Sequence, residues 1–216
     1  MPAAKLLRSK RVICLSQSDT ALISRCQGND VAAFDQIVAR YKHKIFNYIF
    51  RMVGDSDEAE DLTQEVFVKT YLALASFRKE ASLNTWLYRI AGNLCIDSHR
   101  KRSRRQNALG GALVSLNEPA VGEAGDGEDG GPDREVPDRA SEPYNVLARQ
   151  ELDAQIQAAL ARLPDKMRAV VILHDLEDMP YEEIAAIVGC PLGTVKSRLF
   201  NARLQLRDLL KPYLEA

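Results

Sequence analysis

The sequence predicts an all-α protein built from two small helical domains joined by a flexible acidic linker. Three observations support this fold class. Apolar residues recur at steps of three and four on either side of the middle of the chain, strand-like alternation is scarce, and residues 110–143 are rich in Gly, Pro and acids. Such a segment buries too little apolar surface to offset the entropy lost on ordering, so we expect a linker there.

The boundaries follow from these composition changes. Residues 1–17 form a basic extension without the apolar block or cleavage site of a secretory signal, and we expect it to be flexible. The first helical domain spans 18–105, the linker 106–143 and the second helical domain 144–216. No apolar run reaches 18 residues, so no insertion into a membrane is expected.

The first domain is predicted to contain three helices. A helix over 30–53 is indicated by apolar residues spaced three and four apart, Asp57 is expected to cap a helix that runs to about Phe77, and Ser82 is expected to cap the next one. On this last helix the predicted core stripe is Leu83, Trp86, Leu87, Ile90, Ala91 and Leu94. The opposite side is read as Asn84, Tyr88, Arg89 and Asn93.

The second domain is predicted to end in a helix-turn-helix. One helix covers 145–162, another begins at Pro164 and runs to about Leu176, and the stretch YEEIAAIVGCPLGTVKSRLF follows at 181–200. Ala185 suits a close helix crossing, Gly189 suits a turn with positive φ, and Val195 suits the buried side of the second helix. An ordinary pair of antiparallel helices is the alternative.

A helical wheel separates the two sides of the last helix. Val195, Leu199, Ala202 and Leu206 form a core stripe, whereas Ser197, Phe200 and Asn201 face away from it, flanked by Lys196, Arg198 and Arg203. Phe200 could pack under a neighbouring helix or touch a thymine methyl group. Together with the polar neighbours it favours a helix that lies in a DNA major groove.

Charge and cysteine usage limit the function classes. The net charge is −1, but residues 114–143 hold nine acids and two bases (2 − 9 = −7), which leaves +6 on the rest of the chain. A basic body with an acidic insert indicates a polyanionic partner. The four Cys and three His residues lack metal-ligand spacing, so neither a metal nor a cofactor is expected, and free thiols fit the cytoplasm.

Two further clusters lie in the first domain. Asp61, Gln64 and Glu65 share one helix face, which is either a solvated acidic face or a docking site for a basic partner. Five bases lie within Arg100–Arg105, beyond aromatic and amide residues. This combination suits single-stranded nucleic acid, although bases also occur at helix C-termini because they favour the helix dipole.

The chain resembles RNA polymerase sigma factors of the extracytoplasmic-function (ECF) type within the sigma-70 family. The residues that carry the resemblance are AFDQIVARYKHKIFNYIFRMVGDSDEAEDLTQEVFVKTY, SFRKEASLNTWLYRIAGNLCID and LPDKMRAVVILHDLEDMPYEEIAAIVGCPLGTVKSRLFNAR. They cover nearly all of 18–214. The resemblance implies a transcription initiation factor rather than an enzyme, in which the first domain is region 2 and the second is region 4.

The resemblance also implies partners and sites. Asp61, Gln64 and Glu65 would dock on the β′ clamp helices of core RNA polymerase, with further contact to the β flap. The melted, single-stranded −10 element would be bound by Phe77, Arg78, Lys79, Ser82, Leu83, Arg89 and Asn93. The duplex −35 element would be read by Thr194, Lys196, Ser197, Arg198, Phe200, Asn201 and Arg203. An anti-sigma factor would mask these faces, and the free protein would be a cytoplasmic monomer.

The chain departs from the family pattern in its predicted recognition helix and in its linker. Lys196 and Asn201 stand where relatives often carry Arg, which leaves the −35 sequence open because Asn prefers adenine. The linker is long and acidic for the group.

Two other functions are the alternatives. The first is an autonomous dimeric helix-turn-helix regulator, which leaves residues 57–105 without a role. The second is a helical hydrolase that uses carboxylates of Asp57–Asp61, for which no His or Lys partner is evident.

Overall fold

The computed structural model describes residues 17–75, 77, 82–108 and 143–214. Within these ranges the chain is helical and contains no strand, as the sequence predicts. Residues 1–16 of the predicted N-terminal extension and nearly all of the predicted linker lie outside the described residues, as do Arg78 and Lys79. No helix in the described part of the chain is long and apolar enough to span a membrane.

The first helical unit contains four helices. They are α1 (Gln17–Gln27), α2 (Val31–Val53), α3 (Ser56–Leu74) and α4 (Leu83–Ala108). Helices α2, α3 and α4 pack against one another, and α1 packs on α2. Helix α1 was not predicted from the sequence, and α4 runs three residues past the predicted domain boundary.

Caps fix where these helices begin. The Asp30 side chain accepts a hydrogen bond from the Ala33 amide, and the Ser82 hydroxyl accepts one from the Thr85 amide at 3.0 Å. The predicted cap of α3 was wrong by two residues: Asp55, not Asp57, accepts the Glu58 amide at 2.8 Å. Gly54, at φ 82°, ends α2 in the left-handed conformation, and Asp55 follows it directly, so the turn is short.

The second helical unit contains α5 (Pro143–Ala161), α6 (Asp165–Val171), α7 (Tyr181–Val188) and α8 (Leu192–Leu214). Residues Ile172–Leu176 continue α6 as a π-helical turn. The predicted helix-turn-helix is confirmed as α7, a turn and α8, with Gly189 at φ 66°. Val195, Leu199 and Ala202 are buried as the core stripe requires.

The two units pack directly against each other, which the sequence analysis did not predict. Helix α4 lies against α7, and α2 lies against α5, α6 and the π-helical turn. The buried apolar residues of both units form one continuous cluster. Helices α4 and α8 carry the predicted nucleic-acid contacts. This packing therefore sets the position of these two surfaces relative to each other in the described structure.

Candidate functional sites

The predicted docking face on α3 is exposed. Asp61, Gln64 and Glu65 all face solvent, and the Glu65 carboxylate pairs with Lys69 at 2.9 Å. The same helix face continues into Val68 and Leu72, which are 58% and 75% exposed. Large apolar side chains this exposed indicate a contact surface, so the face has an apolar half that sequence reasoning missed. The sequence contains a signal for this apolar half, because the spacing of residues 61, 64, 65, 68 and 72 places them on one helix face.

The segment before α4 places two aromatic rings together. The rings of Phe77 and Trp86 lie 4.8 Å apart between centroids, and both residues are partly exposed. The Gln27 amide donates to the main-chain oxygens of Leu74 and Phe77, which fixes the exit from α3. Flat, partly exposed rings of this kind can stack on an unpaired base.

Two predicted −10 contacts extend this aromatic pair along α4. Arg89 and Asn93 are exposed, and they follow Trp86 at i+3 and i+7, on the same side of the helix. Asn93 was predicted to lie opposite Trp86, which is wrong because residues seven apart lie on the same side of a helix of 3.6 residues per turn. The corrected placement brings Phe77, Trp86, Arg89 and Asn93 to one surface.

Leu83 and Tyr88 of α4 are both buried, which agrees with the predicted core stripe for Leu83 but not with the outer side predicted for Tyr88. Leu83 is fully buried at the start of α4, so its side chain packs in the core and does not face nucleic acid in this conformation. Tyr88 is also buried, because its ring packs edge-on against Tyr48. Burial and the neighbouring Glu177 carboxylate raise the pKa of Tyr88, so its hydroxyl stays protonated and serves as a donor. Ser82 serves as the cap of α4.

The basic end of α4 borders a shallow cleft. Lys101, Arg102 and Arg105 line it together with Glu58 and Ser98. The Glu58 carboxylate accepts hydrogen bonds from Ser98 and Arg102, so one of these bases is neutralised locally. Lys101, Arg104 and Arg105 remain exposed at the end of the helix.

The outward face of α8 agrees with the helical wheel. Ser197, Phe200 and Asn201 are exposed, and Phe200 is 68% exposed although it is a large apolar residue. The Ser197 hydroxyl donates to the Thr194 carbonyl oxygen at 3.1 Å, and Thr194 is partly buried. This face presents an amide, a hydroxyl and an aromatic ring, which are suited to base edges in a major groove.

The flanks of α8 are already engaged within the protein. The Lys196 ammonium lies 5.9 Å above the Tyr181 ring. Arg198 is partly buried and its guanidinium approaches the Cys190 sulfur at 3.5 Å. Arg203 pairs with Asp175, a contact that no sequence pattern indicated because Asp175 lies on the π-helical turn.

Polar contacts join the two helical units. The Tyr88 hydroxyl donates to the Glu177 carboxylate at 2.5 Å, and the Gln157 amide donates to the Phe50 and Arg51 carbonyl oxygens. The His99 ring nitrogen lies 2.9 Å from the Asp165 carboxylate. Nearby, burial raises the pKa of the Cys95 thiol to about 12, so that sulfur stays protonated and unreactive.

Comparison with known proteins assigns both units to one family. The family model for sigma-70 region 2 matches residues 37–105, and that for sigma-70 region 4 matches residues 153–206. The RNA polymerase sigma-H factor of Pseudomonas aeruginosa is 37% identical over 198 residues, which is 92% of this chain and 96% of that protein. The chain belongs to the ECF group of the sigma-70 family.

Further relatives agree with this family assignment. The ECF RNA polymerase sigma-E factor of Escherichia coli K12 is 37% identical over 195 residues, covering 90% of this ECF sigma factor and 95% of the relative. The sigma factor RpoE of Bartonella quintana, solved in complex with the anti-sigma factor NepR, matches with a TM-score of 0.60 and 26% identity, over 82% of this chain and 96% of that one.

The fold is also shared with CnrH, which was solved in complex with the cytosolic domain of CnrY. The TM-score is 0.63 at 22% identity, and the match covers 91% of this chain and 99% of that one. The region 2 match covers most of α2, all of α3 and α4 up to Arg105, and the region 4 match runs from late α5 into α8. The α3 face and the α4 surface therefore belong to region 2, and the outward face of α8 belongs to region 4. Helix α1 lies outside both matches. As a sigma factor, the protein is a transcription initiation factor.

Proposed function

We propose that this ECF sigma factor binds core RNA polymerase and directs it to specific promoters, reading the −35 element as duplex and the −10 element as melted strand. The observation that carries the proposal is the outward face of α8. Ser197, Phe200 and Asn201 are exposed on a helix whose opposite stripe is buried, which is the arrangement a major-groove reader requires.

Region 2 supplies the second half of the proposal. Phe77, Trp86, Arg89 and Asn93 share one surface of α4, where rings can stack on an unpaired base and an amide can bond to its edge. The acidic and apolar face of α3, which includes Asp61, Gln64 and Glu65, would dock on basic and apolar side chains of the polymerase, at the β′ clamp helices. Region 4 would contact the β flap.

Binding both promoter elements requires the two units to separate. The elements lie about 25 base pairs apart by their positions, or about 85 Å at 3.4 Å per base pair. In the described structure α4 packs against α7, and we infer that this packing holds the two reading surfaces too close together to reach both elements at once. About 34 residues (109–142) connect the units, and a chain of that length can extend to roughly 115 Å.

An anti-sigma factor is the second proposed partner. RpoE, the relative from Bartonella quintana, was solved in complex with the anti-sigma factor NepR. Because this chain shares the fold and both sigma regions, we infer that a protein of that class holds it away from promoters in the cytoplasm, and that the chain without partners is a monomer.

Reconstituted transcription tests the proposed function. The purified protein is added to core RNA polymerase and a promoter library, and the transcript starts are sequenced. We expect new starts that depend on the protein and share one −35 and one −10 sequence. Starts unchanged from those of core polymerase alone would overturn the proposal. A dimer that protects duplex DNA without polymerase would instead support an autonomous regulator.

A further inference from the structure

One side of the α8 recognition helix is held by residues of its own unit. Lys196 and Arg203 are seven residues apart, so they lie on the same flank, about two turns from each other. The residues beneath this flank come from the π-helical turn and from the start of α7: His174, Asp175 and Tyr181. The flank is therefore distinct from the outward face that carries Ser197, Phe200 and Asn201.

Arg203 is held by a two-point ion pair. Its Nε donates to Asp175 Oδ2 at 3.0 Å, and its Nη2 donates to Asp175 Oδ1. His174 completes the cluster, since its Nδ1 lies 2.7 Å from Asp175 Oδ1 and 3.1 Å from Arg203 Nη2. The fork of a guanidinium matches a carboxylate in this way, and it would match a phosphate equally well.

Electrostatics and packing keep the pair formed. Partial burial alone would raise the pKa of Asp175, but the hydrogen bonds from Arg203 and His174 outweigh it and hold the pKa below its usual range. The His174 ring stacks on Tyr181 at 4.9 Å, which fixes the imidazole beside the pair. The carboxylate is thus ionised and in place at neutral pH.

The π-helical turn is what brings the carboxylate to α8. A π-helical turn holds more residues per turn than an α-helix, so it rotates the residues that follow it relative to the regular helix. Asp175 and His174 lie within this turn and Arg203 lies two turns along α8 from Lys196. Such turns occur often at functional sites, and here the turn carries the two side chains that contact Arg203.

We propose that Asp175 limits the sequence-independent affinity of region 4 for DNA by holding Arg203 away from the phosphate backbone. The inference rests on the proposed reading of duplex DNA by α8. An arginine paired with a carboxylate adds no net charge for a polyanion, so it releases no counterion on binding. Asp175 therefore lowers the part of the DNA affinity that is the same for every sequence. Discrimination between bases then depends on the outward face of α8.

The test uses holoenzyme, because the full chain acts with polymerase. The probe is a labelled duplex that carries the −35 element and ends upstream of −10, with a second duplex in which the element is scrambled. Affinities are measured from 50 to 200 mM salt for the wild type, Asp175→Asn, Asp175→Asn/Arg203→Gln and Asp175→Glu. Glu182→Gln is the matched control, since Glu182 is an exposed acid on α7 and none of the ion pairs among the described residues involves it.

We expect Asp175→Asn to bind both duplexes more tightly by the same factor and to steepen the salt dependence by about one phosphate contact. This corresponds to an additional ~3.5-fold loss of affinity between 50 and 200 mM salt. Adding Arg203→Gln should restore the wild-type slope, and Asp175→Glu and Glu182→Gln should keep it. Base preference should not change in any of these variants.

Two results would overturn the inference: an unchanged salt slope in Asp175→Asn, or a changed base preference, which would show that Asp175 only shapes the helix. Failure of the proposed function gives a different result, because the wild type would then bind the matched and scrambled duplexes equally. The slope comparison on the scrambled duplex would still decide the role of Asp175.

Discussion

The Arg168 guanidinium, in the second helical unit, donates a hydrogen bond to the main-chain oxygen of Met52, in the first. The same guanidinium donates to the carbonyl oxygens of Leu160, Ala161 and Leu163. Burial lowers the pKa of Arg168, but an arginine keeps its proton in a protein, so a buried cation links the end of α2 to the end of α5 and to the turn before α6.

Replacing Arg168 with Met should therefore destabilise the folded protein by roughly 3–5 kcal/mol, because each buried carbonyl that loses its donor costs about 1–3 kcal/mol. Urea unfolding followed by circular dichroism measures the change. Arg162→Met is the control, since Arg162 is exposed at the end of the same helix pair. Equal unfolding midpoints for the two variants would contradict the role assigned to Arg168.

Changing Asp61, Gln64 and Glu65 together to Ala should weaken binding to core RNA polymerase at least tenfold. The expected cause is the loss of a charged and hydrogen-bonding face that the structure exposes. Competition with a labelled wild-type chain measures it. The double change Asp35→Ala/Gln36→Ala removes similar exposed groups from α2 and should have no effect. Unchanged affinity of the triple variant would argue against the docking site.

Asn93→Ala should impair transcription from a closed duplex promoter more than from a template with a pre-melted bubble. Taking a base out of the stack costs a few kcal/mol, and the bubble meets that cost beforehand. Run-off transcription on both templates measures the difference. Asn47→Ala, an exposed amide on α2, is the control. If Asn93→Ala lost the same activity on both templates, Asn93 would have a structural role only.

Asn201→Ala should relax base preference at one position of the −35 element by about 1–3 kcal/mol, because an exposed amide on the outward face of α8 can bond to an adenine edge at two points. Binding of holoenzyme to a set of single-base −35 variants measures the profile. Gln205→Ala removes an exposed amide further along the same helix and serves as the control. A profile identical to that of the wild type would show that Asn201 reads no base.

Lys196→Ala should weaken binding to all of these duplexes by the same factor and reduce the salt slope by about one unit. The reason is the place of the ammonium, which lies over the Tyr181 ring on the flank of α8 rather than on its outward face. The same binding series at several salt concentrations measures the slope. Lys166→Ala, on α6, controls for the loss of one exposed charge. A loss confined to one −35 base would assign Lys196 to base reading instead.

Much of this architecture could be predicted from local pattern. The stripe of Val195, Leu199 and Ala202 and the positive φ of Gly189 follow from helix periodicity and turn chemistry, which depend on near neighbours in the chain. The same reasoning placed Phe200 on the outward face. Local signals thus suffice wherever a residue's surroundings come from its own helix or the next one.

The features that escaped prediction depend on contacts between distant segments. Tyr88 was expected on the outer side of α4, yet its ring is buried against Tyr48, and Glu177, 89 residues further along the chain, satisfies its hydroxyl. Arg168 is buried because carbonyl oxygens from both units converge on it. No periodicity indicates the π-helical turn that brings Asp175 to Arg203. The ion pair of Arg203, a predicted DNA contact, could therefore not be predicted either.

The continuous core between the two units has a thermodynamic consequence. Separating α4 from α7 would bring apolar surface into water, and hydration of apolar surface raises the heat capacity. Binding of core polymerase that also opens the protein should therefore show a less negative heat-capacity change than the buried interface alone would give. Calorimetry of the complex over a range of temperatures would record the opening without any label on the chain.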